Sequence, residues 1–416
     1  MELNIIQEIV AEQLQLFNKK PSGTIRIVDT EKCLKLPHIV VITGIRRCGK
    51  STLLKQFAQK YETYYYVNFD DERFIDFTVA DFQNLMLVFK KMFQATTIFI
   101  DEIQNIKGWE RFVRRLYDEE YKIFITGSNA HLLSSDLATH LTGRYIKIEL
   151  FPFSFKEFLA FHSKAVYEIY NTDQKAEILQ LFDNFLQTGG MPEFIKFNEK
   201  EVLQRVYEDV IYKDLIVRFG IRNINDFKRL SQYVFTNFTR NISYNSLAET
   251  LNINSTTTIS EYISYLCEAY LVFEVFKYNA SLKKQFTTDK KFFVIDNGIR
   301  SAVAFLFSSD LGKLLENLVF LELRRRYEQV WYYKTNNKLE VDFVYKKDHQ
   351  LHLVQVAYSI TDAKTLNRQT TALEKAMQEI KITNGLILTY SEDREIITET
   401  YTISIKPVWK YLLSEN

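Results

Sequence analysis

The sequence predicts an α/β protein whose first part is a parallel sheet organised around a phosphate-binding loop. Three observations carry that expectation. Residues 39–54 read IVVITGIRRCGKSTLL, an apolar run, a glycine turn and a Lys-Ser-Thr entry into a helical pattern, which is G-x-x-x-x-G-K-S between a strand and a helix. A second apolar strand, beginning at Thr96, ends in Asp101-Glu102. Between and around these two, strand and helix patterns alternate, as in sheets whose crossovers are helices.

The loop chemistry follows from its residue types. Glycines let the backbone wrap closely around an anion. Successive N–H groups make an anion nest, and the helix that follows offers its unpaired N–H groups and positive dipole end. The expected contacts come from Gly44, Cys48, Gly49, Lys50, Ser51 and Thr52. Lys50 is expected on the β/γ-phosphates and the Ser51 hydroxyl on Mg²⁺. Arg46 and Arg47 receive no role.

Asp101 and Glu102 have the form of the acidic strand end that pairs with such a loop, Asp101 toward Mg²⁺ and Glu102 toward the attacking water. Two acids opening the next helix are the alternative reading. A further strand, Lys122–Thr126, runs into Gly127-Ser128-Asn129. Ser128 and Asn129 are candidates for sensing the γ-phosphate or the water, and also for capping the helix after them. Arg144, before the strand pattern that reaches Ile148, is either a finger toward a neighbouring subunit's γ-phosphate or a sheet-edge salt-bridge partner.

The remaining elements of the first part are a lead-in helix from Asn4 to Phe17, a strand over Thr63–Phe69 and a helix over Asp81–Phe93. The composition is globular, 46% hydrophobic and 25% charged, and the length of 416 residues implies two or three domains. A net charge of +1 excludes a global field for nucleic acid or membrane, so any basic surface is local. The 33 Phe and 25 Tyr accompany plentiful Asn, Ile and Lys, so codon bias accounts for them. Cys33, Cys48 and Cys267 make neither a disulfide framework nor a metal spacing, in keeping with a cytoplasmic setting. No apolar run reaches membrane-spanning length.

The phosphate loop, FIDEIQNIKGWE, ITGSNAHLL, TGRYIKIELFPFSFKEF and GGMPEF together resemble a family of prokaryotic AAA+ ATPases. In that family an ATPase module joins a winged helix and a C-terminal domain resembling restriction endonucleases. The resemblance implies ATP and Mg²⁺ as cofactors, a site between subunits of a homo-oligomer, and relatedness to origin-recognition and STAND-type ATPases. The expected organisation is a lead-in over residues 1–30, the AAA+ core over 31–151, a helical lid over 152–225, a winged helix over 226–285 and a small mixed α/β nuclease-like domain over 286–416.

In the lid, helix patterns cover Phe153–Phe161, Lys175–Gln187 and Lys200–Phe219. In the winged helix, a short helix from Ser243, a turn at Asn252-Ile253-Asn254 and a helix from Thr256 give a helix-turn-helix, followed by a strand at Leu271–Phe276. The recognition helix is polar rather than basic. Lys277, Lys283, Lys284, Lys290 and Lys291 are the expected source of phosphate contacts. The last domain opens with the strand of FFVIDNG. By resemblance, Glu316, Asp342 and Gln355 fall on the metal-binding positions of a nuclease site, but Ala357 stands where that site has its lysine. Lys338 or Lys364 would have to replace it, and the expectation is a domain that does not cut. The function expected is ATP hydrolysis by a DNA-associated ATPase. The alternatives are a STAND-like switch with a protein partner and an ATP-gated nuclease.

Overall fold

The structure is a computed structural model that describes residues 1–128, 141–279, 281, 283, 285, 288–305 and 310–414. The chain divides into two compact units, Met1–Phe151 and Pro152–Asn416.

The first unit begins with α1 (Leu3–Lys19) and α2 (Thr30–Lys35). Then β1 (Ile39–Thr43), α3 (Lys50–Ala58), β2 (Tyr65–Asn68), α4 (Phe82–Met92), β3 (Thr97–Asp101), α5 (Trp109–Asp118), β4 (Lys122–Gly127) and β5 (Tyr145–Glu149) follow. All five strands are parallel, in the order β2-β3-β4-β1-β5. Every residue of β1 and β3 is buried, which is why both read as unbroken apolar runs rather than alternating ones. The β2 edge is covered by α1. The Gln13 side chain there donates to the Asn68 carbonyl at 3.0 Å and accepts its N–H at 2.9 Å, satisfying edge groups that would otherwise invite pairing.

The second unit opens with the helices α6 (Phe155–Phe161), α7 (Thr172–Thr188), α8 (Pro192–Phe197) and α9 (Lys200–Asp209), and a π-helical stretch continues α9 over Val210–Val217. Next come α10 (Ile224–Thr236), β6 (Asn241–Ile242), α11 (Tyr244–Leu251), α12 (Thr256–Glu268), β7 (Val272–Val275), β8 (Lys290–Val294) and α13 (Asn297–Val303). The chain ends with α14 (Leu311–Arg326), β9 (Val330–Lys334), β10 (Glu340–Lys347), β11 (Gln350–Val356), α15 (Ala363–Ile380), β12 (Asn384–Thr389), β13 (Arg394–Ile397), β14 (Thr402–Pro407) and α16 (Val408–Leu413). Strands β9 to β14 form a mixed sheet in the order β13-β14-β12-β11-β10-β9. The β10–β11 pair is the antiparallel hairpin expected from the sequence.

The FFVIDNG strand, expected to open the last domain, instead pairs as β8 antiparallel with β6 and β7 in a separate three-stranded sheet. Its sequence is apolar enough for either sheet, and only long-range pairing decides between them.

The turns at Gly189-Gly190 and Asp296-Asn297-Gly298 are packing devices. Asp296 caps α13, accepting from Ile299 N at 3.0 Å and from Gly190 N at 2.6 Å. Asn297 reaches the carbonyls of Leu186 and Leu314, and Asn317 exchanges hydrogen bonds with the backbone of Val294. A Cβ on Gly298 would overlap the Thr188 carbonyl, so only glycine lets α13 approach the end of α7 this closely. GGMPEF and IDNG are thus two halves of one buried polar network.

Candidate functional site

The carboxyl ends of β1, β4 and β3 lie side by side, because β4 sits between the other two. Thr43 is opposite Gly127, and Ile100 is opposite Ile125. That edge collects the loop after β1, Asp101-Glu102 after β3 and Ser128 after β4.

The loop turns at Gly44, whose φ of 150° and close approach to the Leu150 carbonyl leave no room for a Cβ. Gly49 caps α3, so the first-turn N–H groups of Lys50, Ser51 and Thr52 precede the helix's first internal hydrogen bond, Leu53 N–H to the Gly49 carbonyl. Lys50 is 4% exposed, and its Nζ donates to the carbonyls of Gly44 and Ile45, both at 3.1 Å. Cys48 is a packing residue. Its Sγ contacts the Leu150 carbonyl at 3.4 Å, and burial pushes the thiol pKa up.

Asp101 is buried at the end of β3 and accepts a hydrogen bond from the Thr126 hydroxyl. Burial raises its pKa first and the Glu102 charge second, while hydrogen bonds from Thr126 and Ser51 and the Lys50 charge pull the other way. Glu102 has a left-handed backbone, φ 52°, held by its N–H on Thr126 Oγ1 at 3.1 Å, and Gln104 Nε2 donates to its carboxylate. A non-glycine residue in this region is uncommon and costs conformational energy. Here it sets the direction of one carboxylate. The hydroxyl and carboxylate of Ser51 and Asp101 form a hard-oxygen set beside a phosphate cradle, the donor chemistry that suits Mg²⁺.

Two residues at this site carry no motif in the sequence. Thr126 ends an apolar strand pattern, and its lone hydroxyl at that buried strand end is the one local signal of a role. Arg26, 5% exposed, donates from Nη1 to the Cys48 carbonyl at 2.7 Å and from Nη2 to the Phe151 carbonyl at 2.6 Å, so it braces the loop from outside. Nothing local in its sequence marks it. Ser128 is buried at the end of β4, and Asn129 lies outside the described residues. Arg144 precedes β5 at the opposite edge of the sheet, where Tyr145 pairs with Ile39, the first residue of β1. Four residues of β1 separate that edge from the loop, about 13 Å at the usual strand rise. The Arg144 guanidinium lies 5.9 Å from the Tyr117 ring centroid.

The second unit brings Glu316, Asp342 and Gln355 together, with two further residues among them. Lys291 of β8 places its Nζ 3.1 Å from Glu316, 3.3 Å from Asp342 and 2.7 Å from Glu340. Asp342 also accepts from Val356 N at 2.9 Å, and Gln355 Oε1 accepts from Asp342 N at 3.3 Å. Neither Lys338 nor Lys364 is the lysine of this cluster. Lys291 is 2% exposed, so it is not a phosphate-contacting surface lysine as expected. Among the described residues, no group of three or more His, Cys, Asp or Glu side chains is arranged to hold a metal ion. No helix among them is long and apolar enough to cross a membrane.

A parallel sheet with a phosphate loop on one strand and an Asp-Glu strand end two places away, across β4, is the layout of a P-loop module of the AAA class. A family described as AAA domain matches residues 37–159, and two described as domains of unknown function, DUF8612 and DUF4143, match 179–310 and 311–411. The protein named "Uncharacterized protein MJ1544" of Methanocaldococcus jannaschii is 35% identical over 432 aligned positions, 99% of this chain and 96% of its own length. An "Uncharacterized protein" of Haemophilus influenzae is 33% identical over 342 positions, 78% of this chain and 83% of its own length. The chain belongs to this family of AAA+ ATPases, in which the ATPase module precedes two domains of uncertain function. A solved structure of the Aeropyrum pernix ORC1 protein in complex with DNA aligns with a TM-score of 0.33 and 13% identity, over 72% of this chain and 90% of that one. A likeness at that score decides nothing further.

Proposed function

We propose that the first unit binds ATP with Mg²⁺ and hydrolyses it, and that the nucleotide state switches the second unit's hold on a macromolecular partner. The observation that carries this reading is the convergence of Ser51, Thr126 and Lys50 on buried Asp101, with Glu102 beside it in a constrained backbone. In this reading Lys50 leaves its loop carbonyls for the phosphate oxygens, where the first-turn N–H groups of α3 join it. Ser51 and Asp101 hold Mg²⁺, which would supply charge neutralisation at the phosphates. Glu102 orients the attacking water, and Thr126 fixes both acids. Ser128, with Asn129, is the sensor. Arg144, at the far edge, serves only a neighbouring copy's site in a homo-oligomer. Catalysis is positioning and electrostatics. Steady-state hydrolysis by Lys50→Ala and Glu102→Gln tests this, and turnover like the parent's in both would refute it.

The partner has two readings. Helices α10 to α12 with the β6-β8-β7 sheet read as a winged helix, and the DNA-associated reading rests on that module. The alternative, a protein partner, is favoured by the charge of its surface. The exposed positions of α12 include Thr256, Thr257, Glu261 and Ser264, with no cation among the four. Of the five lysines expected to contact phosphates, Lys283 is exposed, Lys277 is half-buried, Lys284 lies outside the described residues, Lys290 Nζ lies 4.1 Å from the Tyr244 ring centroid, and Lys291 is buried. DNA affinity needs cations on phosphates. Hydrolysis stimulated by duplex DNA, with affinity falling steeply in salt, supports the first reading. Indifference to DNA supports the second.

A further inference from the structure

We infer that the Lys291 ammonium is a built-in cation standing where a nuclease-like carboxylate set would hold its divalent ion, so that this site is a metal-free clasp between the two sheets of the second unit. The resemblance that singled out Glu316, Asp342 and Gln355 implies a metal there, and the residues present do not fit one. Nζ already touches an oxygen of each of three carboxylates, at 2.7–3.3 Å. A divalent ion bound by the same oxygens would sit against this ammonium, two like charges in a buried site.

Further oxygens of the set are engaged by protein donors. The second oxygen of Asp342 takes the Val356 N–H, that of Glu340 takes Asn241 Nδ2, and the amide oxygen of Gln355 takes the Asp342 N–H. Magnesium demands near-octahedral oxygen coordination, and these oxygens are already directed at protein donors.

The ammonium itself supplies one positive charge among the three acidic side chains, the part a metal ion would otherwise play there.

The clasp has a mechanical consequence. Lys291 belongs to the three-stranded sheet, while its partners come from α14 and from β10 of the mixed sheet. Two more ties lie alongside it. Asn241 of β6 bonds Glu340, and the backbone of Tyr332 in β9 bonds Tyr278 N at 2.8 Å and Phe276 O at 3.1 Å. The helix-and-sheet module and the mixed sheet are therefore joined through buried charge, and a displacement of one is passed to the other.

The test is Mn²⁺ titration of the full chain without nucleotide, by calorimetry and by thermal unfolding. The wild type is expected to take no Mn²⁺ at this site and to show no shift in Tm that depends on Asp342. Lys291→Ala, with the ammonium gone, is expected to bind Mn²⁺ at least tenfold more tightly and to gain a Mn²⁺-dependent rise in Tm that Lys291→Ala/Asp342→Asn lacks. Mn²⁺ binding by the wild type that disappears in Asp342→Asn would overturn the inference, and this arm needs no lysine variant to fold. A folded Lys291→Ala that takes no Mn²⁺ would overturn it equally.

Discussion

The two units each gather acidic side chains around a lysine, with opposite outcomes. In the first, Lys50 spends its hydrogen bonds on the carbonyls of Gly44 and Ile45, while Asp101 is met by hydroxyls. In the second, Lys291 is held directly by Glu316, Glu340 and Asp342. A lysine on backbone carbonyls exchanges them for phosphate oxygens at little cost, because one set of neutral acceptors is replaced by charged ones. A lysine buried in a carboxylate cage leaves only by stranding unpaired charges, which costs several kcal/mol. The same residue types therefore make a ligand-ready site in one place and a fixed clasp in the other.

The comparison breaks most visibly in activity. Lys50→Ala is expected to lower ATP turnover by about 10²-fold or more, the scale for losing one preorganised charge contact in a transition state. Glu102→Gln should match that loss while still binding nucleotide, as read by a fluorescent ATP analogue. In the second unit, Asp296→Ala leaves the buried N–H groups of Gly190 and Ile299 unpaired and should cost about 1–3 kcal/mol for each, read as a lowered denaturant midpoint. ATP turnover per folded molecule should hardly change.

Smaller effects sharpen the contrast. Thr126→Val removes the hydroxyl that orients Asp101 and the Glu102 N–H. It is expected to lower kcat by about tenfold, or about 1.4 kcal/mol of barrier, with Thr126→Ser restoring most of it. The smallest effect is on pH dependence. Burial pushes the Glu316 carboxyl up to about 8 from an ordinary 4.5, so the folded state takes up a proton there as pH falls between those values. Stability conferred by that proton is present at the acid end and lost as pH rises toward 8. Unfolding free energies across that range should show a decline that Glu316→Gln flattens.

Legibility followed locality. The phosphate loop and the acidic strand end could be read because each is a short run whose strand, turn and helix are contiguous. The parallel α/β core followed from the apolar runs of β1, β3 and β4. Strand order was out of reach, so the role of Thr126, lying between the two acidic residues and the loop, could not be seen. Lys291 closes a polar, lysine-containing stretch and opens the apolar run from Phe292, so its local sequence does not say whether it faces solvent. Its partners are 25 to 51 residues away on a helix and on another sheet. The same distance hid Asp296 behind the motif GGMPEF, a hydrogen-bond partner 106 residues earlier. Arg26 carries no local pattern at all.

The central claim is that one constellation takes its cation from solution and the other carries its own. Counting Mn²⁺ bound per chain by electron paramagnetic resonance, in saturating non-hydrolysable ATP analogue, tests it directly. The account expects one Mn²⁺ per wild-type chain, none in Lys50→Ala and two in Lys291→Ala. Two in the wild type, with the second lost in Asp342→Asn, would contradict it.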